Sequence, residues 1–414
     1  MRKGEVSHDV LVIGGGAAGL MAAGVAAAQG KRVLLLEKNA KLGEKLAISG
    51  GGRCNILNAE EDENVLLAQY GDAKNFLFSP FSEFGMSEAY AFFESRGLPL
   101  KVEARKRAFP QSEKAVDVVR FFLEYLKEGK VDIKLRSAVE NVVMKKGQID
   151  FIVADGKEYR ANSYILATGG VSHPETGSTG DGFEWLTKLG HTVHKPTPTI
   201  VPLKVKEVWV KEVSGVALPE MKISFFVEGV RKFSTKGPLL FTHFGISGPT
   251  ILNAAGKVDD LLHEGAVTAT IDMFPTIDLG ILDKQLMALL DENKNKLLKN
   301  VFKGFAPAGM NDLLLALSTI DPEKKVHSVT KEERRILIDL LKALSITVTG
   351  LLGFEKAVVA DGGVPLSEID TKTMRSLKIE NLFITGDLLH ITRPSGGYSL
   401  QLCWTTGYVA GGNA

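Results

Sequence analysis

The sequence predicts an α/β protein: a discontinuous parallel sheet with flanking helices, interrupted by an inserted β-rich domain and helical subdomain. Three observations predict it. Asp9 to Lys38 reads DVLVIGGGAAGLMAAGVAAAQGKRVLLLEK, an apolar run, a glycine turn, a small-residue helix, a second apolar run and a terminal acid. Two later apolar runs, Tyr164 to Ala167 and Leu382 to Thr385, each stop at glycine, in Thr168-Gly169-Gly170 and in Gly386-Asp387. Between them the three prolines of KPTPTIVP, Lys195 to Pro202, are incompatible with a central strand or a helix and mark a crossing into a separate stretch.

The first element is Val10 to Ile13, a continuous apolar run suited to a strand buried on both faces of a parallel sheet. Gly14 permits the tight turn that follows, Gly16 lets backbone approach a pyrophosphate, and Gly19 lets the helix pack closely on the sheet. Unpaired N–H groups and the positive end of the helix dipole would hold the phosphates without a cationic side chain. Val33 to Leu36 is the second strand, and Glu37 at its end is placed to accept from a ribose diol. An acid there repels a 2′-phosphate, so the unit is a Rossmann-like site for FAD or NAD rather than NADP. The uncharged stretch Val10 to Ala28 is too rich in Gly and Ala for a membrane helix, and it runs straight into a strand without a cleavage site.

Asn39 to Asn58 is polar, glycine-rich and too long for an ordinary connection, so it is read as functional. Ser87 to Arg96 and Ala115 to Glu128 have helical periodicity, while Val131 to Leu135, Val139 to Met144 and Ile149 to Val153 read as strands. Beyond the proline segment, Lys222 to Val227 and Val267 to Met273 read as strands, and Leu282 to Leu298 and Lys331 to Leu344 as helices. No second dinucleotide fingerprint occurs there. The expected domains are residues 1–194 and 346–414, two parts of one FAD-binding domain, and an inserted substrate domain over 195–345.

The glycine-terminated runs place backbone beside a cofactor: Ala167, Thr168 and Gly169 at one strand end, Gly386 and Asp387 at another. Asp387 can accept from the hydroxyls of a ribityl chain, which NAD lacks. Gly396, Gly397 and Tyr398 lead into a helix beginning near Ser399, whose N-terminus would face the pyrimidine end of a flavin and favour negative charge there. FAD is therefore the expected cofactor.

Composition narrows the partners. With 414 residues, 44% hydrophobic and 24% charged, the chain is long enough for two or three domains of a soluble protein. A formal net charge of +1 gives no electrostatic case for nucleic acid or an anionic membrane. Only Cys54 and Cys403 occur, without a C-x-x-C, so neither a disulfide scaffold nor a metal site is expected and a cytoplasmic location is the default. His191 and His194 lack the company a metal would need and read as surface or packing residues.

The ordered motifs resemble the aminoacetone oxidase-like FAD-binding proteins, also called BaiN-type NAD(P)/FAD-dependent oxidoreductases. The resemblance is carried by KLGEKLAISGGGRCNILN (Lys41 to Asn58), LFTHFGISGP (Leu240 to Pro249), Asp361 to Val364 with Thr373-Met374, and GGYSLQ (Gly396 to Gln401). It implies that Gly14, Gly16, Ala17, Ala18 and Gly19 line the pyrophosphate and Glu37 holds the adenosine ribose. It further implies that Lys38, Lys45, Ser49, Gly51, Gly52, Arg53 and Asn55 wrap the cofactor, with Cys54 among them, and that the Val139 backbone meets adenine. Arg53 is either a bidentate phosphate ligand or an ion pair holding the glycine loop. Where the family has an acidic residue this chain has His390, and Arg393 stands where glycine is usual, so the loop is more basic than in relatives.

His390 and His243 are the candidate proton carriers, since imidazole titrates near neutrality, and Arg393 and Tyr398 are candidates for orienting a carbonyl or anionic substrate. The run Arg105-Lys106-Arg107 is either an acidic-substrate patch or a solvated turn. Two distant cysteines do not make a redox pair. The expected activity is an FAD-dependent oxidoreductase acting on a small molecule by hydride transfer at flavin N5. One version is a reductase of an activated carbon–carbon double bond fed by transient NAD(P)H; another is an amine oxidase returning electrons to oxygen. Two further readings are a non-catalytic, redox-sensing flavoprotein and a tRNA-modifying enzyme; the near-neutral charge weighs against the latter.

Overall fold

The computed structural model describes residues 8–414. The chain forms two compact units, one comprising residues through Pro198 together with Val358–Ala414, the other Thr199–Ala357. In the first unit a five-stranded parallel sheet has the order Leu382–Ile384, Ala161–Leu166, His8–Ile13, Val33–Leu36, Asp132–Lys134. Val10 to Val12 and Val33 to Leu36 are fully or almost fully buried, as expected of strands covered on both faces.

The helix Ala17–Ala28 lies between that sheet and the C-terminal helix Tyr398–Asn413, which explains its composition of Ala and Gly. A Cβ on Gly407 would fall on the carbonyl oxygen of Ala18, and one on Gly411 on that of Ala22. Only small residues permit backbones to approach this closely. The unit also contains the helices Met86–Ser95 and Ala115–Glu128, a meander of Val139–Lys145, Gln148–Ala154 and Lys157–Tyr159, and a small sheet of Leu57–Asn58, Arg107–Pro110 and Leu100–Glu103.

The prolines of KPTPT do sit in a strand, His194–Thr199, but it pairs only with Val359–Gly363 in a two-stranded ladder. Pro196 and Pro198 are two residues apart, so both missing N–H groups fall on the same side of a strand that has only one neighbour.

The second unit is a closed six-stranded barrel in the order Leu203–Val205, Gly245–Ser247, Val230–Thr242, Ala217–Val227, Val267–Asp272, Leu344–Leu351. The last of these strands moves the unit boundary from the expected 345 to 357. Helices Pro249–Glu264, Leu279–Glu292 and Lys331–Ala343 accompany the barrel. The helix expected over Leu282 to Leu298 starts earlier and ends at Glu292, and a new one begins at Leu298. A Thr330/Glu333 capping box starts Lys331–Ala343, with reciprocal bonds of 3.1 and 2.8 Å.

Candidate functional site

The glycine turn has the geometry its spacing requires. Gly14 has φ +103°, and a Cβ there would lie 2.5 Å from the Ala167 carbonyl oxygen, while a Cβ on Gly19 would fall on the Gly14 carbonyl. Gly16 faces open space and caps the helix Ala17–Ala28 without any side-chain acceptor or acidic residue in the first turn. The N–H groups of that turn are thus left for an anion.

Glu37 is buried, its carboxylate accepting from Gly15 N at 2.6 Å and Asn39 N at 2.7 Å. Those bonds fix both oxygens beside the glycine turn. Ser137 N donates to Glu37 O and Arg136 N to Asn39 O, each at 2.9 Å, which brings the start of the strand Val139–Lys145 alongside this segment. Lys38 donates to Thr179 at 2.5 Å and Asp181 at 2.7 Å, tying the end of the second strand to the loop after Gly170.

In Asn39 to Asn58, a short helix Glu44–Ile48 leads into the turn Ser49–Gly52, where Gly50, Gly51 and Gly52 all have positive φ. Gly51 and Gly52 are exposed with open space beside them. Ser49 Oγ donates to Leu46 O at 2.7 Å, and Ser49 O accepts from Cys54 N at 3.0 Å. Lys45 donates to Ser172 Oγ at 3.2 Å, and burial lowers its pKa. Of the two readings of Arg53, the structure shows the ion pair: its guanidinium binds Glu103 and Glu113 and lies 4.3 Å over the Phe109 ring. Asn55, with its amide turned, donates to Leu57 O and Ala108 O and accepts from Gly397 N at 2.9 Å, joining this segment to the C-terminal loop.

Cys54 is fully buried, and burial pushes its thiol up to about 12; Cys403 is likewise pushed up to about 12. Neither is poised as a thiolate at neutral pH.

The two glycine-terminated strands meet here. Asp387 lies beside Gly170, and Gly386 beside Ala18 and Cys403. Arg393, expected to orient a substrate, is instead buried: its guanidinium pairs with Asp387 and donates to Ile391 O at 2.8 Å and Ser399 Oγ at 3.1 Å. The pair compensates a buried charge, so Arg393 acts on Asp387 and on the helix start. Gly397 has φ +104°, and a Cβ there would strike the Leu57 backbone. Tyr398 opens the terminal helix, its carbonyl accepting from the buried Tyr70 hydroxyl at 2.9 Å; burial raises the Tyr398 pKa.

His390 is partly buried, and its ring centroid lies 4.5 Å from that of His194. His191 is buried, bonded to Glu368 at 2.7 Å and Ser376 at 2.9 Å. His243 belongs to the barrel unit, exposed and 4.8 Å from the Phe244 ring.

Sequence reasoning missed the loop Val171 to Gly182. Ser172 and Ser178 are buried in it, and Gly177 and Gly180 have positive φ. Its signal was a glycine-rich run directly after a strand. Thr168 Oγ1 is buried without a partner among the described residues. An uncapped helix start, open glycines, a lysine with one serine partner and an orphaned hydroxyl fit an extended dinucleotide anion such as FAD. Among the described residues no group of three or more His, Cys, Asp or Glu could hold a metal ion, and no helix is long and apolar enough to cross a membrane.

The family described as "HI0933-like protein Rossmann domain" matches residues 8–413. The chain is 30% identical over 405 residues to the 3-dehydro-bile acid delta(4,6)-reductase of Clostridium scindens, covering 97% of each protein. It is 27% identical to the ribosomal RNA dihydrouridine synthase of Escherichia coli, covering 97% of this chain and 96% of that one. Among solved structures, the 3-ketosteroid-delta4-(5alpha)-dehydrogenase of Rhodococcus jostii RHA1 shares the fold, with TM-score 0.55, 17% identity, and 100% and 98% of the two chains covered.

Proposed function

Since the chain belongs to the HI0933-like Rossmann family of FAD-dependent oxidoreductases, we propose that it is a reductase of a carbon–carbon double bond conjugated to a carbonyl. The carrying observation is chemical. The two relatives matched over their whole length are named for different substrates, a dienone steroid acid and a uridine. Both names describe saturation of an alkene next to a carbonyl. A hydride accepted at the β-carbon leaves an enolate, which needs an acid at the α-carbon and a donor at oxygen.

In this reading Gly14, Gly16, Ala17, Ala18 and Gly19 present N–H groups to the pyrophosphate, Glu37 accepts from the adenosine ribose, and the Val139 backbone meets adenine. Lys38, Lys45, Ser49, Gly51, Gly52, Asn55, Ala167, Thr168 and Gly169 line the rest, with Asp387 accepting from the ribityl chain. Arg53 and Cys54 act indirectly, holding the glycine turn by ion pairs and packing. Arg393 fixes Asp387 and Ser399. FAD, when bound, supplies the hydride, and NAD(P)H replenishes it by transient binding. His390 holds the proton for the α-carbon, and the Tyr398 hydroxyl donates to the carbonyl oxygen.

Anaerobic turnover tests this. NADH or NADPH should bleach the flavin, and a conjugated enone should restore its colour with one saturated product per flavin, whereas an isolated alkene should not. Reoxidation by oxygen alone, with amines as the only reductants, would favour the amine oxidase instead.

A second reading, in which the alkene belongs to a uridine in ribosomal RNA, is favoured by the full-length match to the dihydrouridine synthase. The net charge of +1 supplies no general attraction for RNA. Dihydrouridine missing from the ribosomal RNA of a deletion strain, and restored by the gene, would establish this reading over a free small molecule.

A further inference from the structure

The run Arg105-Lys106-Arg107 resolves into three different environments. Arg107 turns back, donating to Ala104 O at 3.1 Å with its guanidinium 5.7 Å from the Phe109 ring. Lys106 pairs with Glu60 at 2.6 Å. Arg105 is exposed, and its side chain makes no hydrogen bond or ion pair with any described residue.

The turn that presents it is costly. The strands Leu100–Glu103 and Arg107–Pro110 are joined through Ala104, Arg105 and Lys106, with Arg105 at φ 63°, ψ 30° and Lys106 at φ 58°. Hairpin residues at positive φ are ordinarily Gly, Asn or Asp, which reach this region without Cβ crowding or with local compensation. Two long cations in succession keep the strain without gaining a fold contact from the Arg105 side chain. Backbone strain of this kind clusters at binding sites.

Its location connects the turn to the site. The buried Asn58 amide donates at once to Arg105 O at 3.2 Å and Gly396 O at 3.0 Å, so the turn is tethered to the loop that starts the terminal helix. Gly396 itself lies against the Tyr398 ring, and burial, with a smaller contribution from the Glu60 carboxylate that holds Lys106, raises the Tyr398 pKa. The ion pairs of Lys106 and Arg53 absorb the surrounding carboxylates of Glu60, Glu103 and Glu113; neither Arg105 nor Arg107 has a carboxylate partner among the described residues, and of the two only Arg105 leaves its guanidinium without any hydrogen bond.

We infer that Arg105 is a specificity residue that binds an anionic substituent, carboxylate or phosphate, on the conjugated carbonyl substrate. The inference rests on the reductase reading above and adds the class of substrate. A guanidinium offers paired donors to either oxyanion, at a distance from the reacting alkene, so its effect is on capture and not on the chemical step.

The test uses the FAD-loaded enzyme and two matched pairs of enones: a carboxylate with its methyl ester, and a phosphate monoester with its parent alcohol. KM for the anion should lie about tenfold or more below that for its neutral partner, with similar kcat. The pair showing the larger ratio identifies carboxylate or phosphate. In Arg105→Asn, which keeps a residue suited to positive φ, that ratio should collapse toward one through KM. Lys106→Asn places the same amide at the next residue of the turn and should preserve the ratio. An undiminished ratio in Arg105→Asn, or equal collapse in Lys106→Asn, would overturn the inference. If no enone reoxidises the flavin, the reductase reading fails separately. Arg105 is then judged by flavin difference spectra on titration with the carboxylate and phosphate compounds: binding lost in Arg105→Asn upholds an anion site, and unchanged binding removes it.

Discussion

Glu368, His191 and Ser376 show how much a residue's role depends on what surrounds it. Ser376 Oγ accepts from Lys378 N at 3.0 Å and Ile379 N at 2.9 Å, so its own proton goes to His191 Nε2, and His191 Nδ1–H points to Glu368. The order is that of a hydrolytic relay, yet Ser376 is buried with its lone pairs occupied, and the chain of bonds clasps the turn after Lys188 to the segment before Leu382. Bonds from Lys378, Thr192 and His191 hold Glu368 at about 2 against the desolvation that would raise it, and burial lowers the His191 pKa. Both signs run the same way. Stability from Glu368 is complete above the ordinary carboxylate range and is lost as pH falls toward 2; His191, kept neutral, adds a loss once pH falls below the usual imidazole value. Thermal melts between about pH 4.5 and about pH 2.5, below the imidazole range, should therefore show Glu368→Gln starting from a lower Tm and falling less steeply than the parent. Parallel curves would remove the clasp from the acid response. At the same scale, Cys54 and Cys403 should resist alkylation at neutral pH in the folded protein and react fully in denaturant. Fast modification of either in the native state would contradict their burial.

Elements whose signal is local were readable from sequence, and those defined by distant partners were not. The first strand, its glycine turn and the helix Ala17–Ala28 follow from residues within a few positions of one another. The closure of the barrel does not, because Leu203–Val205 pairs with Leu344–Leu351 far along the chain, and that pairing also shifted the expected boundary. The glycines of the terminal helix carried no local meaning either: Gly407 and Gly411 are explained only by Ala18 and Ala22 across the interface. Gly407→Ala should destabilise the protein by about 1–3 kcal/mol through overpacking, despite a gain in helix propensity. Urea unfolding measures it; a stabilised variant would mean that the helices can part at little cost. In the barrel unit, Thr330→Ala removes one half of a capping box and should cost about 1 kcal/mol, read by the same method.

On the scale of the molecule, the local geometry of the glycine turn and its acid was legible, and the partners of the later candidate residues were only partly so. Gly14, Gly16, Gly19 and Glu37 announce themselves because a turn, an uncapped helix and a terminal acid are short-range features. Arg393 gave no sign that it would be buried against Asp387, and His194 none that it would meet the His390 ring, since each contact joins segments brought together only by folding. The proton assignment to His390, whose ring lies tilted at 43° to that of His194, has a direct check. His390→Ala should lower kcat for enone reduction about a hundredfold or more, while leaving bleaching by the nicotinamide close to the parent rate. Equal losses in both half-reactions would assign His390 to cofactor binding instead. The most direct test of the whole account is a single anaerobic double-mixing experiment: the FAD-loaded protein is bleached by NADH or NADPH and then met by a conjugated enone or its non-conjugated isomer. The account predicts return of the oxidised flavin spectrum and a saturated ketone with the conjugated compound alone. A reduced flavin that stays bleached with conjugated enones, and recovers only when air is admitted, would contradict it.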